Sequence, residues 1–213
     1  MITVEFARPL YDGSDPIHDF DHVLRVLALA RRIGQAEGAN LAVVETAVLL
    51  HDIHRADEDQ GHAAGDAKVG DHALLAADAA RKILARQDPP PSNDFVDAVA
   101  HCIAAHRFRN SIDPQTIEAK TVFDADKLDA IGAIGIARAY AYGGMMGQRL
   151  WGEVPDGYAG DGPDHTAYHE FVYKLSKIQD RLTTATGRAI ARERHAAMVA
   201  YFERLRAEIE GRA

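Results

Sequence analysis

Cysteine is nearly absent from this sequence: among 213 residues, only Cys102 carries a thiol. A single cysteine excludes an internal disulfide framework and favours a reducing compartment. Long apolar runs are missing as well, since the amino-terminal residues contain no extended apolar signal segment and no later run approaches membrane-spanning length. We therefore expect a cytoplasmic protein that has no membrane partner.

Positive charge is also scarce in this chain. The 24 lysines and arginines are outnumbered by 32 aspartates and glutamates, which gives a formal net charge of -8. Because nucleic-acid binding depends on basic side chains that meet phosphates, we expect no nucleic-acid partner. A small phosphorylated substrate remains compatible with this charge, since a bound metal can supply local positive charge. The sequence has neither a Walker-type phosphate loop nor a dinucleotide-binding Gly-x-Gly-x-x-Gly after a strand pattern.

Helical patterns fill most of the sequence. Asp15, followed by Pro16 at the first helical position, predicts a helix that runs to Glu37 and stops at Gly38, and Asn40 predicts the cap of the next helix. Further helices are predicted over about 71–87, 92–108, 114–130, 131–142, 166–182 and 184–210. Because period-two alternation is weak, the predicted fold class is all-α. The length suits one sizeable domain.

Two long irregular stretches interrupt the helical patterns. Residues 55–70 directly follow a His-Asp pair, and residues 143–164 are rich in glycine and contain the only tryptophan, Trp151. Loops of this length inside a compact domain are often lids or binding loops and are otherwise merely mobile. The sequence leaves the role of both loops open.

Four potential metal ligands lie in three separate helical patterns, each in an apolar setting: His22, His51, Asp52 and Asp126. At helical spacing, His22, His51 and Asp126 each share a face with apolar neighbours and point inward. Asp52 is rotated by about 100° from His51, so both reach one ion only near the rim of the bundle. An ionised carboxylate in an apolar helix is costly unless a cation or dense hydrogen bonding compensates it.

Each of these residues alone has an ordinary structural explanation, such as a hydrogen-bonded core histidine or a helix-capping aspartate. The four together predict a metal site. Two imidazoles and two carboxylates suit Mn²⁺, Mg²⁺, Fe²⁺ or Zn²⁺, and this mixed donor set does not select among them. A divalent ion of this kind lowers the pKa of bound water and polarises a phosphoryl oxygen.

Three segments resemble the HD-domain metal-dependent phosphohydrolases: His-Asp-x-x-His-x-x-Arg-Val at 18–26, His-Asp at 51–52 and Asp-Ala-Asp-Lys-Leu-Asp-Ala at 124–130. Later blocks, including 131–138, the Gly143-Gly144 pair and 183–186, are similar to a bacterial subgroup of predicted HD phosphohydrolases that includes nucleotide pyrophosphohydrolases. The resemblance covers most of residues 15–210. It implies a single HD domain over 1–213, built as an all-α helical bundle. Its metal-site core would span about 15–142, with helices at about 165–210 packed on it.

The resemblance also implies roles for individual residues. His22, His51, Asp52 and Asp126 match the family's ligand positions, and Asp52 would also orient the attacking water. Asp124 and Asp129 are second choices for the Asp126 position. Apart from the resemblance, Lys127 adjoins Asp126 and is predicted to act in catalysis by approaching phosphate oxygens.

A further set of residues is predicted to bind the substrate or a second metal: His18, Arg25, His72 and His106. His72 and His106 would complete a second metal site, as in two-metal members of the superfamily, or would contact substrate phosphate around a single ion. We favour the single ion. His18 shares a helical face with His22, and Arg25 either approaches phosphate or forms a structural salt bridge. Arg107, Arg109 and Arg138 are weaker candidates for phosphate contacts, and solvation is the commoner fate of such arginines.

The resulting prediction is a metal-dependent phosphohydrolase in which metal-activated water attacks a phosphoryl centre. The substrate is expected to be a nucleotide, and the specific version is a nucleoside triphosphate converted to monophosphate and pyrophosphate. The alternatives are a phosphodiesterase or alarmone hydrolase, a di-iron oxygenase, and a non-catalytic nucleotide-sensing module. Tyr140, Tyr142, Trp151 and Tyr158 are candidates for stacking on a base, although core packing is commoner. The sequence does not indicate an oligomeric state.

Overall fold

The computed structural model describes residues 2–11, 19–54, 71–107, 111–160, 162 and 164–213, and these residues form helices and connecting turns without any strand. The α-helices are α1 (Val4–Ala7), α2 (Phe20–Glu37), α3 (Leu41–Leu50), α4 (His72–Ala85), α5 (Asn93–Ala104), α6 (Ile117–Asp129), α7 (Gly132–Met145), α8 (Ala167–Tyr173) and α9 (Ala185–Ile209). Two 3₁₀ segments cover Arg8–Tyr11 and Leu175–Arg181. The all-α prediction is confirmed.

The chain divides into two compact units, Met1–Asp126 and Lys127–Ala213. In the first unit α2 packs on α3, α3 packs on α5, and α4 packs on α5. Its core consists of fully buried aliphatic side chains such as Ile33, Val44 and Ile103. In the second unit α7 packs against both α8 and α9.

Helix α2 begins later than the sequence predicted. Asp19 has extended backbone angles and caps α2, so α2 begins at Phe20 and not at Pro16, which lies with Asp15 outside the described residues. The Asp19 carboxylate accepts hydrogen bonds from the N–H groups of Asp21 (3.1 Å) and His22 (3.2 Å), which satisfies donors that a helix start leaves without partners. The predicted stop at Gly38 is confirmed, because Gly38 adopts the left-handed conformation with φ 74°.

The helix predicted over 166–182 is in fact two pieces. Helix α8 ends at Tyr173, Lys174 leaves the helical region with φ -126°, and the chain continues as the 3₁₀ segment Leu175–Arg181. The Ser176 hydroxyl donates to the Val172 carbonyl at 3.1 Å, and this carbonyl is the acceptor that a continuing α-helix would offer to the Ser176 N–H. This side-chain hydrogen bond accompanies the break in the helix. Hydrophobic periodicity in the sequence does not reveal such a break.

The two predicted loops differ in what the structure describes. Residues 55–70 lie outside the described residues. Residues 143–145 of the glycine-rich stretch still belong to α7, and the described residues that follow it, 146–160, 162 and 164, form no helix or strand. In the part of the chain that the structure describes, no helix is both long enough and apolar enough to cross a membrane.

Candidate metal centre

The first histidine of the site is positioned by the capped start of α2. Asp19 holds the N–H of His22, which places the His22 imidazole one turn inside the helix and leaves it only 2% exposed. The same helix face continues with the buried Val26 and Ile33. His22 therefore points into the first unit, as its helical phase predicted.

The His51-Asp52 pair lies where α3 ends, and side chains form hydrogen bonds with the backbone at that end. The His51 Nδ1–H donates to the Val48 carbonyl at 2.7 Å. A carbonyl only accepts hydrogen bonds, so Nδ1 carries the proton and the Nε2 of the neutral ring presents its lone pair. In a continuing helix the N–H of Asp52 would donate to Val48 O, but here it donates to the Tyr11 hydroxyl, and α3 ends at Leu50.

Tyr11 bonds to this helix end from the amino-terminal 3₁₀ segment. Its hydroxyl donates to the Leu49 carbonyl (3.2 Å) and accepts from the Asp52 N–H (3.4 Å), and the residue is 5% exposed. The ring packs against Phe20, with centroids 5.3 Å apart. Sequence reasoning missed Tyr11, because a tyrosine 41 positions before Asp52 carries no pattern that links it to the pair.

The four predicted ligands converge in space. His22 Nε2 lies 3.4 Å from Asp126 Oδ1 and 3.8 Å from Asp52 Oδ2. His51 Nε2 lies 3.5 Å from Asp52 Oδ2 and 3.9 Å from Asp126 Oδ1. One ligand atom each from His22, His51 and Asp126 falls within 4.8 Å of the others, a spacing that can hold a metal ion.

The other oxygen of Asp52 faces a second pair of histidines. Asp52 Oδ1 lies 3.2 Å from His72 Nε2 and 3.4 Å from His106 Nε2, and these two nitrogens are 3.4 Å apart. His106 makes the same kind of hydrogen bond as His51, since its Nδ1–H donates to the carbonyl three residues earlier, that of Ile103, at 2.6 Å. His51, Asp52 and His106 form a second group whose donor atoms could hold an ion.

An ion pair joins the residues next to this second pair of histidines. Asp71 caps α4 by accepting from the Ala73 N–H at 2.9 Å, and its other oxygen lies 3.2 Å from Arg107 Nη1. Because Asp71 precedes His72 and Arg107 follows His106, the ion pair links the two backbones that present these imidazoles. Arg107, a weaker candidate for a phosphate contact, is thus engaged in an ion pair, and its side chain is only 14% exposed.

Burial and charge prepare these groups for a cation. Burial lowers the pKa of His51 to about 4, so its imidazole is neutral at pH 7. Burial opposes ionisation of Asp52, but the positive charge that His51 carries below pH about 4 and the contacts with His106 and His72 outweigh it and hold the Asp52 pKa well below its usual value. The site thus presents a charged carboxylate to imidazole lone pairs.

The described contacts leave two of these buried atoms without a hydrogen-bond partner: His51 Nε2 and Asp52 Oδ1. A lone pair that faces a carboxylate oxygen inside a protein is unfavourable unless a positive charge compensates both. A divalent cation supplies that charge, and imidazole nitrogens with carboxylate oxygens are suitable donors. The residues present therefore fit a metal ion.

The remaining predicted site residues are His18, Arg25 and Lys127, together with the weaker arginine and aspartate candidates. His18 lies outside the described residues, as does Arg109. Arg25 is half-buried on α2, one turn after His22, and Lys127 is half-buried on α6, directly after Asp126. Asp129 pairs with Arg138 at 3.1 Å within the second unit, so it is engaged in a structural ion pair, and Arg138 is not simply solvated.

Comparison with known proteins identifies the family. The HD domain model matches residues 19–131, which include all four predicted ligands. The chain is 36% identical over 198 residues to the "Uncharacterized protein YpgQ" of Bacillus subtilis strain 168, a match that covers 91% of this chain and 85% of that protein. The chain belongs to the HD domain family.

Solved structures agree with this assignment. The crystal structure of Bacillus subtilis YpgQ in complex with ADP is similar with a TM-score of 0.73 and 34% identity, over 99% of this chain and 100% of that chain. The crystal structure of a predicted HD superfamily hydrolase from an uncultured Thermotogales bacterium has a TM-score of 0.67 and 28% identity, over 96% of this chain and 90% of that chain. The fold is that of HD-superfamily hydrolases.

Proposed function

We propose that this chain is a metal-dependent phosphohydrolase that acts on nucleotides. The observation that carries the proposal is the convergence of two imidazoles and two carboxylates, with the buried His51 Nε2 left without a hydrogen-bond partner. The ADP bound to a relative of 34% identity supports a nucleotide ligand. The HD-superfamily hydrolase among the similar structures supports hydrolysis.

In this proposal a single divalent ion, such as Mn²⁺, is held by His22, His51, Asp52 and Asp126. When bound, such an ion lowers the pKa of water and polarises a phosphoryl oxygen. The chain supplies the donors in ready form, since His51 is neutral at pH 7 and Asp52 is ionised. Nδ1–H donation to Val48 O fixes the tautomer and orientation of the His51 ring.

The other predicted residues would handle the substrate. Asp52, as an ionised carboxylate, accepts a hydrogen bond from the attacking water and orients it toward phosphorus. His72 and His106 lie beside Asp52 Oδ1 and would donate to phosphate oxygens when protonated. Lys127, Arg25 and His18 are proposed to offset phosphate charge.

The specific version of the reaction is the conversion of a nucleoside triphosphate to a monophosphate and pyrophosphate. The water oxygen forms a bond to the α-phosphorus, the bond from that phosphorus to the α,β-bridging oxygen breaks, and pyrophosphate leaves. The water protons pass to the products or to solvent, so no oxidant or second substrate is needed.

Turnover with a defined product tests the proposal. The metal-free protein is given Mn²⁺, Mg²⁺, Co²⁺, Fe²⁺ or Zn²⁺ with each nucleoside triphosphate, a cyclic dinucleotide or guanosine tetraphosphate, and phosphate and pyrophosphate are measured separately. Pyrophosphate with monophosphate supports the specific version. Hydrolysis of only the cyclic dinucleotide or the alarmone would select a phosphodiesterase or an alarmone hydrolase. Tight nucleotide binding without turnover in the presence of each of these metals would favour a non-catalytic nucleotide-sensing module.

One observation supports a rival version with two ions. Both oxygens of Asp52 face imidazole nitrogens, and the group His51, Asp52 and His106 could hold an ion of its own. A two-ion centre is compatible with phosphoester hydrolysis and with a di-iron oxygenase. Metal analysis separates these cases, since two irons per chain with an oxygen-sensitive visible spectrum would favour the oxygenase.

A further inference from the structure

The second unit contains an aromatic pocket whose lining includes none of the candidate metal ligands. It has a volume of about 420 Å³, within the range of small-molecule sites. Three tyrosines line it together with two cations and two acids: Tyr158, Tyr168, Tyr173, Lys177, Arg206, Glu153 and Asp156. Every lining residue belongs to the stretch 153–206, whereas the metal ligands lie between residues 22 and 126.

Contacts among the lining residues and with Trp151 hold the aromatic side chains of this pocket in place. Trp151 stacks on Tyr168, with centroids 4.3 Å apart and an interplanar angle of 21°. The Arg206 guanidinium lies over both of these rings and donates to Glu153 Oε2 and the Tyr168 hydroxyl, each at 3.0 Å. Arg206 therefore fixes one aromatic wall, and its charge is balanced by Glu153.

Tyr173 also lines the pocket, and this residue is 40% exposed. Gly160, with φ 96°, lies so close to this ring that a Cβ atom would fall 2.1 Å from Tyr173 Cε1. The Tyr158 ring meets the Tyr173 ring edge-on, with centroids 6.0 Å apart. The backbone is thus shaped to seat Tyr173 beside the pocket while part of the ring remains accessible.

The charged groups that line the aromatic pocket indicate which kind of ligand it could bind. The Lys177 ammonium lies 4.9 Å from the Tyr173 ring centroid, on an exposed side chain that can meet an anionic group. Asp156 is exposed and can accept hydrogen bonds from amino or ring N–H donors. Contact with the exposed part of Tyr173 favours a flat ring, and the charges of Asp156 and Lys177 favour a ring that bears N–H donors and carries an anion.

We propose that the aromatic pocket binds a planar nitrogen heterocycle that carries an anionic group, independently of the metal centre. A nucleoside monophosphate has this chemistry and suits the size of the pocket. This inference does not rest on the proposed hydrolase function, because neither the metal ligands nor a metal takes part in it.

The test measures binding of radiolabelled AMP to the full chain by equilibrium dialysis in excess EDTA. AMP is expected to bind more tightly than adenosine, and inorganic phosphate more weakly than either. Trp151 is the only tryptophan, so its fluorescence should change as AMP occupies the neighbouring pocket. Absence of AMP binding in EDTA would overturn the proposal, as would binding that needs a divalent metal and disappears in the His51→Ala variant.

Matched variants locate the bound AMP. Tyr173→Ala and Lys177→Ala remove exposed side chains of the pocket, and each should weaken AMP binding about tenfold. Met146→Ala and Lys174→Ala remove exposed side chains that do not line the pocket, and their AMP binding should be unchanged. Circular dichroism confirms that each variant is folded. Equal affinities in all four folded variants would refute this location.

Discussion

The Tyr11 hydroxyl lies between the Leu49 carbonyl, to which it donates at 3.2 Å, and the N–H of Asp52, from which it accepts at 3.4 Å. This contact ties the amino-terminal 3₁₀ segment to the aspartate whose two oxygens face four imidazoles. The backbone of the candidate metal centre is therefore fixed by a residue that is not itself a candidate ligand.

Tyr11→Phe tests this contact. The variant keeps the ring packing on Phe20 but loses the hydroxyl, so the free energy of unfolding should fall by about 1 kcal/mol. Because outer contacts orient metal ligands, Mn²⁺ affinity should fall about tenfold. Denaturant titration and calorimetric Mn²⁺ titration measure the two effects. Tyr142→Phe removes a hydroxyl from an exposed tyrosine and should change neither; unaltered Mn²⁺ affinity in Tyr11→Phe would show that the contact only stabilises the fold.

Asp52→Ala should abolish both metal binding and activity while the helical fold survives. Asp52 supplies an oxygen to each group of imidazoles, so its removal takes the negative charge from both. Metal content after dialysis and circular dichroism give the readouts, with Asp78→Ala on the exposed face of α4 as the matched control. Full activity in a folded Asp52→Ala protein would show that this centre is not the site of catalysis.

Metal removal should lower the melting temperature. With free Mn²⁺ at 100 times its Kd, binding stabilises the folded chain by about 2.7 kcal/mol, which corresponds to roughly 5–10 °C for a chain of this size. Scanning calorimetry of the protein in EDTA and after Mn²⁺ addition measures the shift. His51→Ala should show no shift, and a shift of equal size in that variant would place the metal elsewhere.

His106→Ala should distinguish one bound ion from two. With a single ion held by His22, His51, Asp52 and Asp126, the variant keeps its metal stoichiometry, and the loss appears as a higher KM for the nucleotide. Elemental analysis and steady-state kinetics of the variant and the parent protein provide the measurement. A fall from two ions per chain to one would instead assign His106 to a second metal site.

Cys102 should resist thiol reagents in the folded protein. Burial raises the pKa of the Cys102 thiol to about 12, and its side chain has no exposed surface. In an unfolded chain a cysteine ionises near pH 8.5, so between that pH and about 12 only the unfolded chain carries a substantial thiolate fraction. A chromogenic disulfide reagent at pH 8 should titrate one thiol per chain in guanidinium and almost none in buffer; rapid labelling of the folded chain would contradict this burial.

Local signals in the sequence were sufficient for several features. Asn40 caps α3 as predicted, since its side chain accepts from the Ala42 N–H. Gly38 ends α2 as predicted. Such features depend on residues within one helical turn, which is the range over which capping and periodicity act.

Other features were beyond such local reasoning. The start of α2 was misplaced because both Asp15 and Asp19 are capping residues, and periodicity alone does not choose between them. The break at Lys174 accompanies a single hydroxyl bond from Ser176 to Val172. Tyr11 and the ion pair of Arg107 were missed for a different reason, because their partners Asp52 and Asp71 lie 41 and 36 positions away along the chain.

By itself, the sequence determined the helical class, the helix ends that have strong caps, and the residue types that make a metal site plausible. Those properties follow from neighbours in the chain, and helical phase alone gave His22, His51 and Asp126 their inward direction. Only the tertiary structure decided that Asp52 turns one oxygen to His22 and His51 and the other to His72 and His106. The physical reason is that the angle and depth at which helices pack set the distances between their side chains, and these depend on core contacts far apart in sequence.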